Sequence, residues 1–193
     1  MMKTIGITGG IGAGKSIVSK IIQSLGFPVF YSDIEAKKIT NSHPDVKSGL
    51  KTLIGEEVFV NDELNRALLA QHIFSNTETK SAVNALIHPL VRKAFDDFAK
   101  QSNQPLVFNE AAILFETGSY TSFDATVLVT APVELRIERV MKRDGVTRQQ
   151  VLDRMKNQWS DEQKAPLADF LISNDEVRPL LMQVENLLQE LLS

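Results

Sequence analysis

Eight consecutive residues near the start of the chain, Gly9-Gly10-Ile11-Gly12-Ala13-Gly14-Lys15-Ser16, satisfy the pattern G-x-x-x-x-G-K-S/T at every specified position. Their flanks differ in period. Lys3 to Thr8 is a short apolar run that reads as a buried strand, whereas Ile17 to Leu25 carries apolar residues at helical spacing. A glycine-rich link between a strand and a helix constrains the fold strongly. Backbone N–H groups can wrap a polyphosphate only where no side chain intervenes, and glycine also permits the tight turn. The helix then points its N-terminus at the anion, Lys15 supplies a mobile positive charge, and the Ser16 hydroxyl is placed to bind Mg²⁺. Gly12, Ala13, Gly14, Lys15, Ser16 and the backbone of Ile17 are therefore the expected nucleotide-binding residues.

Four further apolar runs read as buried parallel strands: Val29 to Tyr31, Leu106 to Phe108, Ala125 to Val129 and Phe170 to Ile172. Together with Thr4 to Ile7 they predict an α/β, three-layer phosphate-loop fold with a five-stranded parallel sheet. At 193 residues the expectation is one domain. Its core is expected at 1–33, 104–138 and 168–193, with a helical acceptor-binding insertion over about 34–103 and a helical lid over about 139–167. In the insertion, Leu64, Leu68, Leu69, Ile73 and Phe74 are expected on one helix face. Val83, Leu86, Ile87, Leu90 and Val91 form another around an interruption at Pro89. Leu180, Leu181, Val184, Leu187, Leu188 and Leu191 mark a final amphipathic helix.

Charge and cysteine content narrow the function. With 21 Lys+Arg against 24 Asp+Glu the formal charge is −3, so no global field favours nucleic acid or an anionic membrane. The absence of cysteine excludes disulfides, thiolate metal sites and cysteine nucleophiles. No targeting segment and no apolar stretch of membrane-spanning length are read, so a cytoplasmic protein is expected, without a nucleic-acid or membrane partner.

In a parallel sheet, ligands gather beyond the carboxyl ends of the strands. Asp33 follows the second strand and could take a proton from an attacking hydroxyl or help orient Mg²⁺, but Ser32-Asp33-Ile34-Glu35 also reads as a capping box. Arg136, Arg139 and Arg143 fall three and four residues apart and share a helix face, which Asp144-Gly145 then ends before a second stretch bearing Arg148, Arg154 and Lys156. Arg136 and Arg148 read as partners of Glu134 and Glu138 on a solvated face. Arg139 and Arg143 read as cations that a flap brings to phosphates. Glu110 and Glu116 could approach Mg²⁺ or be ordinary surface carboxylates. His43, His72 and His88 lack metal-ligand spacing, and on chemistry alone His88 reads as structural. With no D-x-x-G, no N-K-x-D and only a weak acidic strand end in LVFNE, a GTPase switch or mechanochemical ATPase is disfavoured, and a small kinase remains.

Several motifs in order then resemble the dephospho-coenzyme A kinases. TGGIGAGKS, Asp33-Ile34, LNRALLAQHIF at Leu64 to Phe74, Ile87-His88-Pro89 and AILFE at Ala112 to Glu116 each match a family segment. So do Arg139 to Gly145, Arg154 to Gln158 with Lys164, and Ala168-Asp169 to Asn174. The resemblance implies ATP-dependent phosphorylation of the ribose 3′-hydroxyl of dephospho-CoA, the last step of coenzyme A synthesis, with ATP as donor and Mg²⁺ required. It implies Asp33 as base, Lys15, Arg139 and Arg143 as phosphate stabilisers, Asn174 at the adenine pocket, and Arg66 and His88 with Asp33 on the acceptor side. A monomer or weak homo-oligomer is expected. The alternatives are another small-molecule or nucleotide kinase of this fold, or a nucleotide-gated ATPase switch. Three positions depart from the family pattern: Tyr31 stands for the first Asp of D-A-D, Ile17 for the Thr after the loop, and Ala112 for a Pro.

Overall fold

The structure, a computed structural model, describes residues 2–193. In chain order the main elements are β1 (Lys3–Thr8), α1 (Lys15–Ser24), β2 (Val29–Tyr31), α2 (Ser32–Ser42), α3 (Pro44–Ile54), β3 (Phe59–Val60), β4 (Glu63–Leu64), α4 (Arg66–Ser75), α5 (Thr77–Lys100), β5 (Leu106–Glu110), β6 (Ala125–Thr130), α6 (Val133–Asp144), α7 (Arg148–Met155), α8 (Asp161–Lys164), β7 (Phe170–Ser173) and α9 (Leu180–Leu192). Contacts divide the chain into two compact units, one comprising the residues up to Tyr31 with Gln101–Ser193, the other Ser32–Lys100.

The first unit is built on a five-stranded parallel sheet in the order β2-β5-β1-β6-β7. Its strands read as continuous apolar runs because both faces are covered. On one face Ile5, Ile7, Leu106, Phe108, Val127 and Val129 alternate along β1, β5 and β6 and pack with Val18 and Ile22 of α1 and Val184, Leu187, Leu188 and Leu191 of α9. On the other face Gly6 lies so close to Leu114 and the Phe123 ring that an added Cβ would sit 2.9 Å from the Leu114 Cδ1 atom. The helix expected at the C-terminus is α9; of the six residues its spacing marks, Val184, Leu187, Leu188 and Leu191 are buried and Leu180 packs partly buried, but Leu181 is 50% exposed and off the buried face. A further cluster joins Ile137 and Val140 of α6 to Val151 of α7, with Ile11, Val146, Leu152 and Met155 packed against it.

The second unit is helical, with α2, α3, α4 and α5 around Ile39, Val46, Leu50, Val58 and Val83. Three details depart from the sequence reading. Leu64 belongs to the two-residue strand β4, which pairs antiparallel with β3 in a hairpin that no periodicity announces. Helix α4 starts at Arg66, where Asn65 accepts the Leu68 N–H at 3.1 Å as a cap. It leaves Phe74 80% exposed, so Phe74 is not on the face that Leu68, Leu69 and Ile73 bury. Pro89 lies inside α5, which runs unbroken from Thr77 to Lys100. The residues on both sides of the proline keep one apolar face, and that packing outweighs the single amide hydrogen bond a proline removes.

Candidate active site

The phosphate loop leaves the sheet at the end of the central strand. Gly12 and Gly14 take φ of 79° and 96°, a left-handed region open to glycine at little cost. Gly14 is the N-cap of α1 and has no side chain to occupy the helix's first-turn amides, so the positive end of the helix faces outward to an anion. The Lys15 Nζ atom donates to the Gly9 carbonyl at 2.8 Å, holding the ammonium at the loop. The Ile17 N–H donates to the Gly14 carbonyl at 3.0 Å, which turns it into the helix.

Beside the loop stands Glu110, the last residue of β5, only 9% exposed and paired in register with Ile7 and Tyr31. The Ser19 hydroxyl donates to one of its oxygens at 2.8 Å and the Ser16 hydroxyl approaches the other at 3.4 Å. A hydroxyl and a carboxylate at that spacing suit a hard cation that takes oxygen ligands. Among the described residues no group of three or more His, Cys, Asp or Glu could hold a metal, so a cation here would complete its shell from ligand phosphates and water. Tyr31 donates its hydroxyl to Gln23 at 2.8 Å, and burial first, then the Glu110 charge, raises its phenol pKa.

The loop is braced from behind by residues read differently in the sequence. Arg136 is not on a solvated face; it is 5% exposed, its Nε donates to the Ile11 carbonyl at 3.0 Å, and its other arm pairs with Asp161 at 3.2 Å. Glu134 takes Arg148 instead, at 2.7 Å, as the surface reading of Arg148 has it. Gln158 accepts the Ile11 N–H at 2.8 Å. Asn174, 4% exposed, donates its amide to the Ala13 carbonyl at 2.8 Å, and Arg139 donates to the Asn174 carbonyl at 3.1 Å and to Glu176 at 3.0 Å. Arg136, Arg139 and Arg143 therefore do not act as one patch. Arg143 is exposed and clasps Asp144 at 2.7 Å, as Arg154 does, and these two arginines, Arg143 first, hold the Asp144 carboxyl at a pKa of about 2. Glu116 is not a surface carboxylate: it pairs at 2.8 Å with Lys164, which is fully buried, and accepts the Trp159 N–H at 3.0 Å.

The other residues singled out by the sequence, Asp33, Arg66 and His88, lie in the second unit. Asp33 is in the first turn of α2, which opens directly after β2, and Arg66 is the first residue of α4. On α5, desolvation first and Arg92 second lower the His88 pKa, so its imidazole is neutral at pH 7.

The pattern that defines the dephospho-CoA kinases matches residues 3–179 of this chain. The chain belongs to the dephospho-CoA kinase family. A dephospho-CoA kinase of Bacteroides fragilis is 42% identical over 185 residues, covering 95% of this chain and 90% of the relative. Among solved structures, a Thermus thermophilus protein aligns with a TM-score of 0.86 at 36% identity over 99% of this chain and 96% of its own. A dephospho-CoA kinase from Campylobacter jejuni aligns at 0.70 with 25% identity, covering 98% and 97%. In this member of the dephospho-CoA kinase family, Ser19 and Asp161 are the site neighbours that sequence reasoning missed, while Arg136 was read on a solvated face and Gln158 only as part of a family segment. Ser19 had a signal, three residues after Ser16 on the same helix face. Arg136 had none, because its partner Ile11 is 125 residues away.

Proposed function

We propose that this chain transfers the γ-phosphoryl group of ATP to the ribose 3′-hydroxyl of dephospho-CoA, releasing ADP and coenzyme A. The observation that carries the reading is the family match across residues 3–179, within which the Gly9–Ser16 loop is intact beside Glu110. In the mechanism, the loop amides and Lys15 hold the outer phosphates of ATP. Ser16, through its hydroxyl, and Glu110 would hold Mg²⁺. When bound, that ion neutralises charge on the transferring phosphoryl group. Asp33 takes the proton of the 3′-hydroxyl as its oxygen attacks the γ-phosphorus and the bond to the leaving ADP oxygen breaks. Arg139 and Arg143 stabilise the charge that spreads over the phosphoryl oxygens, for which Arg143 exchanges Asp144 for phosphate. Asn174 serves the nucleotide site through its bond to the Ala13 carbonyl. Arg66 and neutral His88 receive the acceptor. Among the described residues no helix is long and apolar enough to cross a membrane. The proposal includes a cytoplasmic enzyme acting as a monomer or weak homo-oligomer, without a nucleic-acid partner, its core, helical insertion and lid forming one kinase domain.

Product analysis tests this reading. With Mg-ATP and dephospho-CoA, mass and phosphorus NMR spectra are expected to show one added phosphate on the ribose 3′ oxygen. Phosphate at another position, or none with the folded protein, would overturn the assignment.

A further inference from the structure

One residue of the phosphate loop is held at every group it has. The Ile11 N–H donates to Gln158 at 2.8 Å, its carbonyl accepts from Arg136 at 3.0 Å, and its side chain packs against the cluster of Ile137, Val140 and Val151 that joins α6 to α7. Arg136 also lies directly over the neighbouring glycines: a Cβ on Gly10 would overlap its guanidinium, and one on Gly12 would collide with its backbone. Its far arm is tied to Asp161, the first residue of α8, so α6, the Gln158 segment and α8 all converge on one loop peptide. Ile11 is thus the point where the helices after β6 join the phosphate loop.

This arrangement is more than general packing. A guanidinium buried to 5% exposure is costly unless its donors are used, and two of them go to the Ile11 carbonyl and Asp161. Gln158 satisfies the opposite end of the same residue from a separate segment, so the Ile11 backbone cannot rotate without breaking a bond on one side or the other. The neighbouring peptides at Gly12 and Gly14 adopt left-handed backbone that has many alternatives when unrestrained. A loop rich in glycine binds phosphate well only when its amides are already aimed, because ordering them on binding costs conformational entropy.

We propose that Arg136 and Gln158 are positioning residues for the phosphoryl donor, fixing the Ile11 peptide so that the loop amides are preorganised for polyphosphate. They act through the loop and do not touch the acceptor. The inference rests on the ATP-dependent reading above.

The test is the separation of donor from acceptor kinetics in Gln158→Ala and Arg136→Lys, with ADP binding to each protein followed by calorimetry. For Gln158→Ala, loss of one neutral hydrogen bond predicts about a three- to tenfold rise in the Mg-ATP KM and in the ADP Kd. The dephospho-CoA KM is expected to stay within about twofold, because no contact to it is altered. Arg136→Lys keeps a charge for Asp161 but loses the fork that reaches the Ile11 carbonyl, and about a tenfold or greater effect on the same two constants is expected. Gln158→Ala keeps the test decisive should Arg136→Lys fail to fold. Unchanged ADP affinity and Mg-ATP KM in folded Gln158→Ala, or an equal rise in both substrates' KM, would overturn the positioning role. Failure of the unsubstituted protein to bind ADP at all would instead overturn the nucleotide-dependent function on which it rests.

Discussion

At Gly14 the backbone has φ 96°, and a Cβ would overlap the Asn174 side-chain amide that holds the Ala13 carbonyl. Gly14→Ala is therefore strained twice over, and nucleotide binding measured by calorimetry is expected to be lost while the far-UV circular dichroism spectrum is kept; normal ADP affinity would contradict this account of the loop. Lys15→Ala should weaken both ATP binding and turnover, since its ammonium is the positive charge held at the loop by the Gly9 carbonyl. Asp33→Asn separates chemistry from binding. It should leave ADP affinity within about twofold but reduce turnover by about a hundredfold or more, the loss expected for a positioned base. Near-normal turnover would return Asp33 to a helix-opening role. At this scale the loop was legible because its chemistry demands particular residues at fixed spacing. Arg136, Asn174 and Lys164 were not legible in their roles, because burial and the identity of a distant partner decide what a charged or amide side chain does.

Among the elements, α6 and α7 are joined by ion pairs as well as by Val140 and Val151. Asp144 at the end of α6 takes Arg143 of its own helix and Arg154 of α7, and its folded pKa of about 2 lies below the ordinary carboxylate value of 3.8. A carboxylate depressed in this way stabilises the folded state fully above the unfolded value, and the contribution is lost as pH falls toward 2. The stability advantage over Asp144→Asn in denaturant titrations should accordingly be present at neutral pH, shrink below pH 3.8 and vanish near pH 2. Because these groups are exposed, the advantage will be small, and one that grew on acidification would contradict the assignment. Helix ends were readable where a local signal exists: Gly145 closes α6 in left-handed backbone, as Asp144-Gly145 foretells, and Thr147 opens α7 with a capping box to Gln150. The β3–β4 hairpin and the passage of α5 through Pro89 carry no such signal. Two-residue strands have no measurable period, and tertiary packing overrides a proline's local preference.

For the molecule as a whole, the two compact units have separate apolar cores, one on the five-stranded sheet and one around Leu50 and Val58. Leu50 is fully buried, so Leu50→Ala should cost about 2–5 kcal/mol in denaturant unfolding; a loss below about 0.5 kcal/mol would show that its surroundings collapse without penalty. Sheet and helical unit were both visible in the sequence, since five apolar runs and the amphipathic spacing of Val83 to Val91 are direct consequences of burial. The acceptor was visible only through family resemblance, because a ribose hydroxyl imposes no spacing of its own. Acceptor-dependent ADP release is therefore the most direct measurement: Mg-ATP with dephospho-CoA, against reactions with no acceptor, with adenosine and with a nucleoside monophosphate. The account predicts rapid ADP release with dephospho-CoA alone, with coenzyme A as product. Equal release without an acceptor, or stimulation only by adenosine or the monophosphate, would contradict it.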